Sequence, residues 1–514
     1  MKDQDIVGEA LAGVLPRYDK HWFRVPHLLK LNFILLVPLL SSAVAGYDGS
    51  LMNGLQSIPE WKGYFGSPTG SVLGVVNAAQ SIGSVVSLPI VGVLSDTIGR
   101  RLTLYLGAAT IVIASAIQAA SVNYGMFVFA RVLVGIGSML VVQPAPMLIT
   151  ELAYPTHRGK YTSAFWTMYY LGAILASWTC FGTQRHMTDD WTWRVPSIIQ
   201  AGLPIVQLGF WRWIPESPRW LIANDRRDEA RQLLAYYHAA GDVNHPLIQF
   251  EMTEIDDSLF ADARVSKTPW SALINTPGNR KRTFIAACVG AFAQWNGVAV
   301  VSYYLTLVLD TVGITDSDTQ TLINGLLQVF NFLAAGSAAM LVDRLGRRTL
   351  FLWSATGMLI SFVVWTACSA VFDITKTPAF GNTVIAFVFI FYFHYDIAYT
   401  PLLLGYPTEI FPYAIRSKGV TITLLSVYSS LVILAFVNPI ALDSIGWHYY
   451  IFFCCFDLLI LAVTLWIFPE TKGHSLEEIA GVFDGPMAVT PGLEFGEKYE
   501  MATREHEEHA KQRN

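Results

Sequence analysis

Asp96-Thr97-Ile98-Gly99-Arg100-Arg101 returns as Asp343-Arg344-Leu345-Gly346-Arg347-Arg348, 247 positions further along the chain. Glu151 and Arg158, seven positions apart, return as Glu409 and Arg416. Pro215-Glu216-Ser217-Pro218 returns as Pro469-Glu470-Thr471-Lys472. Three short charged motifs thus recur in one order between long apolar segments. That pattern predicts two related membrane-embedded halves with a site between them, the architecture of a transporter.

Composition agrees. Of 514 residues, 53% are hydrophobic and only 14% charged, against about a quarter charged in soluble domains, so much of the surface must face lipid. Apolar runs of spanning length, about 20 residues, fall near 31–52, 71–94, 102–121, 125–148, 161–182 and 195–214. A second six fall near 283–308, 322–342, 349–370, 382–407, 418–441 and 448–468. The expected fold is an all-α membrane protein of twelve transmembrane helices in two pseudo-symmetric six-helix bundles. Its divisions are an N-terminal segment 1–30, bundles 31–215 and 283–468, a linker 216–282 with short helices, and a tail 469–514. No charged segment leads directly into a cleavable apolar stretch, so a signal peptide is not expected.

Basic residues fix the expected orientation. Arg100, Arg101, Arg158, Lys160, Arg344, Arg347, Arg348, Arg416 and Lys418 lie in short loops after spans 2, 4, 8 and 10, and the linker adds Arg280-Lys281-Arg282. The opposite loops hold only Lys62, Arg185, Arg194 and Lys376. The positive-inside rule therefore places both termini and the linker in the cytoplasm. In the linker, Ala230, Leu233, Leu234 and Tyr237 share one face at helical spacing. The five cysteines sit in apolar stretches without metal or disulfide spacing, and neither a metal nor a cofactor is expected.

Taken together, Gly46-Tyr47-Asp48, the paired Gly-Arg-Arg loops, PESPRWL at 215–221, Gln294 through Tyr303-Tyr304, and PETKGHSLEE at 469–478 resemble the sugar porter family of the major facilitator superfamily. YDIAYTPLLL at 395–404 and NPIALDSIGW at 438–447 look like its fungal lactose permease and hexose or disaccharide branch. The resemblance implies a proton-coupled sugar symporter of the plasma membrane, working as a monomer with sugar, protons and lipid as partners and no nucleic acid.

The resemblance also assigns roles. Asp96, Arg100, Arg101, Glu151, Arg158 and Glu216 in the first half, with Asp343, Arg347, Arg348, Glu409, Arg416 and Glu470 in the second, would form a cytoplasmic gate. Carboxylate and guanidinium groups at helix ends can pair in two-pronged fashion; the plainer account, arginines that only set topology, leaves the matched Glu-to-Arg spacing unexplained. Asp48 lies a few residues from the outer end of span 1, and Arg131 at comparable depth in span 4, roughly 6–9 Å below the surface. An intramembrane carboxylate is by default a functional candidate, and the resemblance gives Asp48 proton coupling with Arg131 as its partner. A static ion pair is the alternative.

For substrate, the resemblance implies Gln294, Tyr303, Tyr304 and Asn331. Amides both donate and accept, as sugar hydroxyls do, although they can equally join helices. Where hexose transporters carry further amides this chain has Ala293, Ala299, Trp166 and Ala173, while Leu404 replaces a tryptophan and Tyr428 keeps an aromatic position. A pocket so altered, with Trp166 and Tyr428 in its wall, favours a disaccharide over a tightly held glucose. His394 and Asp396 in span 10 could form a second proton relay or a buried polar pair.

The absence of a Gly-x-x-x-x-Gly-Lys-Ser/Thr loop argues against a primary pump, and no nucleophile elbow or metal spacing suggests an enzyme. The open alternatives are a facilitative carrier or symporter of a polyol, quinate or another small metabolite, and a transporter-like nutrient sensor.

Overall fold

The computed structural model describes residues 9–16, 21–266, 269–472, 479 and 482–484. Among these there are helices and turns and no strand. Twelve spans cross the molecule. The first half has Pro26–Ser57, Gly70–Ile98, Arg100–Ala119, Tyr124–Leu152, Arg158–His186, and a sixth broken into Trp191–Ile199 and Gly202–Gly209. The second has Pro277–Thr311, Ser317–Leu345, Arg347–Thr375, Pro378–Ile410, Tyr413–Ile445 and Tyr449–Ile467. Nine described stretches are long and apolar enough to cross a membrane, one of them running through spans 11 and 12. Spans 5 and 6 fall short of that measure. Span 5 turns Trp166, Tyr169 and Tyr170 inward, and span 6 is interrupted between Ile199 and Gly202.

Lipid, being as apolar as leucine, gives helices no hydrophobic reason to associate, so close backbone packing by small residues must do so. Spans 1 and 5 show how: a Cβ on Gly46 would strike the backbone of Tyr169, and one on Gly172 the backbone of Ala43. Side chains such as Phe33, Val86, Ile113, Ile360 and Leu458 point outward, the surface a bilayer would cover. Between the halves, span 2 packs on span 11, span 5 on span 8, and span 1 on span 7.

Span 7 is interrupted at Asn296–Gly297, where Gly297 has φ +96°, and again at Tyr304, whose backbone is not helical. Its freed carbonyls are taken up by span 1. Asn53 Nδ2 donates to the oxygens of Val301 (3.0 Å) and Ser302 (2.6 Å), and Gln56 Nε2 to that of Tyr303 (2.9 Å). Asn53 Oδ1 accepts the Leu305 N–H at 3.1 Å, and Ser57 meets Thr306 at 2.8 Å. These bonds join the halves on the side away from the Gly-Arg-Arg loops, called the outer side here.

On the inner side the linker lies as helices Pro218–Ala223, Arg227–His238, Pro246–Ser266 and Ala272–Asn275. Ala230, Leu234 and Tyr237 are its buried face. His238 fastens it to span 4, with Nδ1 2.8 Å from Glu251 Oε2 and Nε2 3.1 Å from the Leu152 carbonyl.

Candidate transport site

Asp48 and Arg131 are both fully buried and joined by a hydrogen-bonded ion pair. Arg131 also donates to Gln80 Oε1 at 2.8 Å, and Gln200 donates to the same Asp48 oxygen at 3.0 Å. Spans 1, 2, 4 and 6 therefore converge on this ion pair, and the second oxygen of Asp48 has no hydrogen-bond partner. Neither Gln80 nor Gln200 stood out in the sequence, because a lone amide in a span looks the same whether it joins helices or serves a site.

A cavity of about 250 Å³ opens between the halves, near the lower end of the volumes usual for small-molecule sites. Gln80, Gln294 and Gln328 supply amides to its wall, and seven tyrosines and Trp166 supply rings. Tyr303 and Tyr428 line it. No acidic or basic residue is among the described lining residues. Tyr304 and Asn331 lie outside this wall. Tyr304 is fully buried with its hydroxyl on the Ala435 carbonyl at 2.5 Å, and Asn331 is fully buried with neither amide atom bonded. Gln328, three residues before Asn331, faces the cavity instead.

Gate residues pair within halves. Arg100 approaches Glu151 at 3.6 Å and Asp96 at 3.3 Å, and Arg158 reaches Glu251 of the linker at 3.5 Å. Arg347 holds Glu409 at 2.9 Å, while Thr471 donates to the same carboxylate at 2.5 Å. Arg101 and Arg348 instead donate to the carbonyls of Trp211 and Leu465, each at 2.7 Å, and Arg416 to that of Phe411 at 3.4 Å. The side chain of Asp343 lies outside the described residues.

Glu216 and Glu470 do something else: they cap helices. Each sits at the N-terminus of the span that follows a Gly-Arg-Arg loop, accepting Arg101 N–H (3.1 Å) in one half and Arg347 N–H (2.7 Å) in the other. A carboxylate is favoured there by the helix dipole and the unpaired N–H groups. Burial pushes the Glu216 carboxyl above the usual range despite the N–H groups of Ser217 and Arg101. At Glu470 burial pushes the same way, yet N–H groups of Lys472, Arg347, Thr471 and Thr349 outweigh it and hold the carboxyl below that range.

Hydrogen bonds join the halves on the outer side, from Asn53, Gln56 and Ser57 to span 7, and at mid-depth, between Tyr170 and Asp396 and between Asn324 and Ser177. The halves are thus latched together on the outer side.

Comparison with known proteins supports this fold. The family model described as "Sugar (and other) transporter" matches residues 34–483. The MFS-type transporter oryC of Aspergillus oryzae is 27% identical over 91% of this chain and 88% of its own. The low-affinity glucose transporter HXT1 of Saccharomyces cerevisiae is 29% identical over 81% and 73%. The inward open conformation of the E. coli xylose transporter XylE superposes with a TM-score of 0.74 at 24% identity, covering 88% of this chain and all of that one. The fold is that of the major facilitator superfamily, and the chain is a multi-pass membrane protein belonging to the sugar transporter family of that superfamily.

Proposed function

We propose that the protein carries a neutral sugar, a hexose or disaccharide, into the cell in symport with protons. Residues 31–215 and 283–468 would rock about the cavity between them, joined by the linker 216–282. The setting is the plasma membrane, with the termini, linker and Gly-Arg-Arg loops in the cytoplasm and the monomer as the working unit. The observation that carries this reading is the buried Asp48–Arg131 pair beside a cavity without charge. A neutral, many-hydroxyl ligand suits a wall of amides and tyrosine hydroxyls, whereas an anion such as quinate would find no cation there. The pair gives the carboxylate a state without a proton, and separation from Arg131 would favour taking one up. Relatives described as glucose transporters support a sugar as the ligand.

A facilitative polyol carrier would need the cavity but not the buried pair. A nutrient sensor would bind sugar without moving it. Uptake of labelled mono- and disaccharides and polyols by transporter-deficient yeast, with and without an uncoupler, tests all three. Sugar accumulation abolished by the uncoupler is the expected result. Uncoupler-insensitive equilibration would establish the facilitative carrier, and binding without uptake the sensor.

A further inference from the structure

Asp396 is a second intramembrane carboxyl that the proposed mechanism leaves unused. It is fully buried at mid-depth in span 10 and forms no ion pair among the described residues. The Tyr170 hydroxyl, from span 5 of the other half, donates to its Oδ1 at 2.5 Å, and Thr400 donates to the same oxygen at 2.7 Å. Its Oδ2 is buried and has no hydrogen-bond partner. Tyr170 and Thr400 both line the cavity, as do Tyr395 and Tyr399, so one layer of side chains separates Asp396 from the cavity.

The titratable groups facing it are Tyr170 from span 5 and Tyr392 and Tyr395 from its own span. Spans 7, 8, 9 and 11 place no described cation within ion-pair distance. His394 turns away, its Nδ1 on the Ile390 carbonyl and its ring against Gly357.

The contrast with Asp48 is informative. Asp48 has a guanidinium to balance its charge, whereas the charge of Asp396 is supported only by the hydrogen bonds of Tyr170 and Thr400, so their loss would leave a costly buried charge unless a proton neutralises it. Resting on the symport reading above, we infer that Asp396 is a second proton-binding site of the transport cycle, its occupancy set by Tyr170 across the interface between the halves. Hydrogen bonds donated to Oδ1 stabilise the ionised form. When span 5 moves away with its half and the cavity faces outward, that support is lost and Oδ2 takes a proton from the outside. When the halves return to the arrangement seen here, Tyr170 donates again and the proton leaves through the inner opening. No covalent bond changes; each cycle moves one proton on Asp396 and one on Asp48.

The test is the proton-to-sugar ratio, read from reversal potentials of the full-length protein in proteoliposomes with labelled glucose or lactose, whichever the cells accumulate. The wild type should move about two protons per sugar, and Asp396→Asn and Asp48→Asn about one each. Tyr170→Phe keeps the carboxyl and removes the donor, so the pH of half-maximal transport should rise by about half a unit to one unit. A wild-type ratio near one, unchanged in Asp396→Asn, overturns the inference while leaving symport standing. An unmoved pH profile in Tyr170→Phe also overturns it. No coupled proton movement in the wild type would defeat the symport reading itself.

Discussion

The carboxylate of Glu470 occupies the space that a side chain on Gly346 would need. Gly346 has φ +94° and ψ 155°, a backbone region open essentially to glycine. In the first half Glu216 stands in the same relation to Gly99, at φ +99°. The repeated Gly-Arg-Arg signature is therefore a socket for a remote carboxylate. Gly346→Ala should strain the backbone and displace the cap together, costing about 1–3 kcal/mol, visible as a lower unfolding temperature in detergent. An unchanged temperature would mean that the cap contributes little.

The two caps should respond to pH in opposite senses. Glu470, held low, contributes stability that is present above the ordinary carboxylate range and lost as pH falls through that range. Glu216, held high by burial, binds more protons folded than unfolded, so its contribution declines as pH rises from the ordinary range through its own raised value. At neutral pH Glu470→Gln should lower the unfolding temperature more than Glu216→Gln does. Thermal unfolding of both variants from about pH 3 to 8, spanning the ordinary carboxylate range, checks this, and equal losses at every pH would refute it.

Asp48→Asn should weaken concentrative uptake and the accompanying alkalinisation, while exchange of labelled sugar persists. Undiminished accumulation against a gradient would remove Asp48 from the coupling mechanism.

Gln294→Ala and Gln328→Ala should each raise the half-saturation concentration about ten- to a hundredfold, the effect of a lost buried hydrogen bond of roughly 1–3 kcal/mol. Asn331→Ala, outside the cavity wall, should change it much less. Trp166→Ala should hurt a disaccharide more than a monosaccharide. Equal losses for both sugars would argue against a second ring on Trp166.

Asn53 holds three main-chain groups of span 7 across the interface. At about 1 kcal/mol net for each bond, Asn53→Ala should shift the halves toward opening outside by one to two orders of magnitude. A cysteine replacing Ser84 in the cavity wall should then react faster with an impermeant thiol reagent added outside. An unchanged rate would show that the seal lies elsewhere.

Much of the fold was legible because a span needs an unbroken apolar stretch and a loop needs polar residues, both local properties. The offset between the Gly-Arg-Arg loops revealed two halves before any contact was known. Asp48 and Arg131 could be paired by counting residues from the outer surface. Gln80, Gln200 and Tyr170 could not, since their importance comes from which spans pack side by side. Asn331 and Gln328 differ by less than one turn, and only the rotation of span 8 decides which meets the cavity. The break in span 7 was hidden too: Gly297 resembles the many glycines that serve close packing until its φ is known.

That break separates two tasks that would otherwise compete. Asn53 and Gln56 grip carbonyl oxygens of Val301, Ser302 and Tyr303, atoms every residue possesses, so the outer door is indifferent to which side chains stand at those three positions. Tyr303 and Ser302, whose side chains face the cavity, can thus be exchanged to suit a different sugar without loosening the latch. Selectivity can drift along span 7 while the door is inherited intact from span 1.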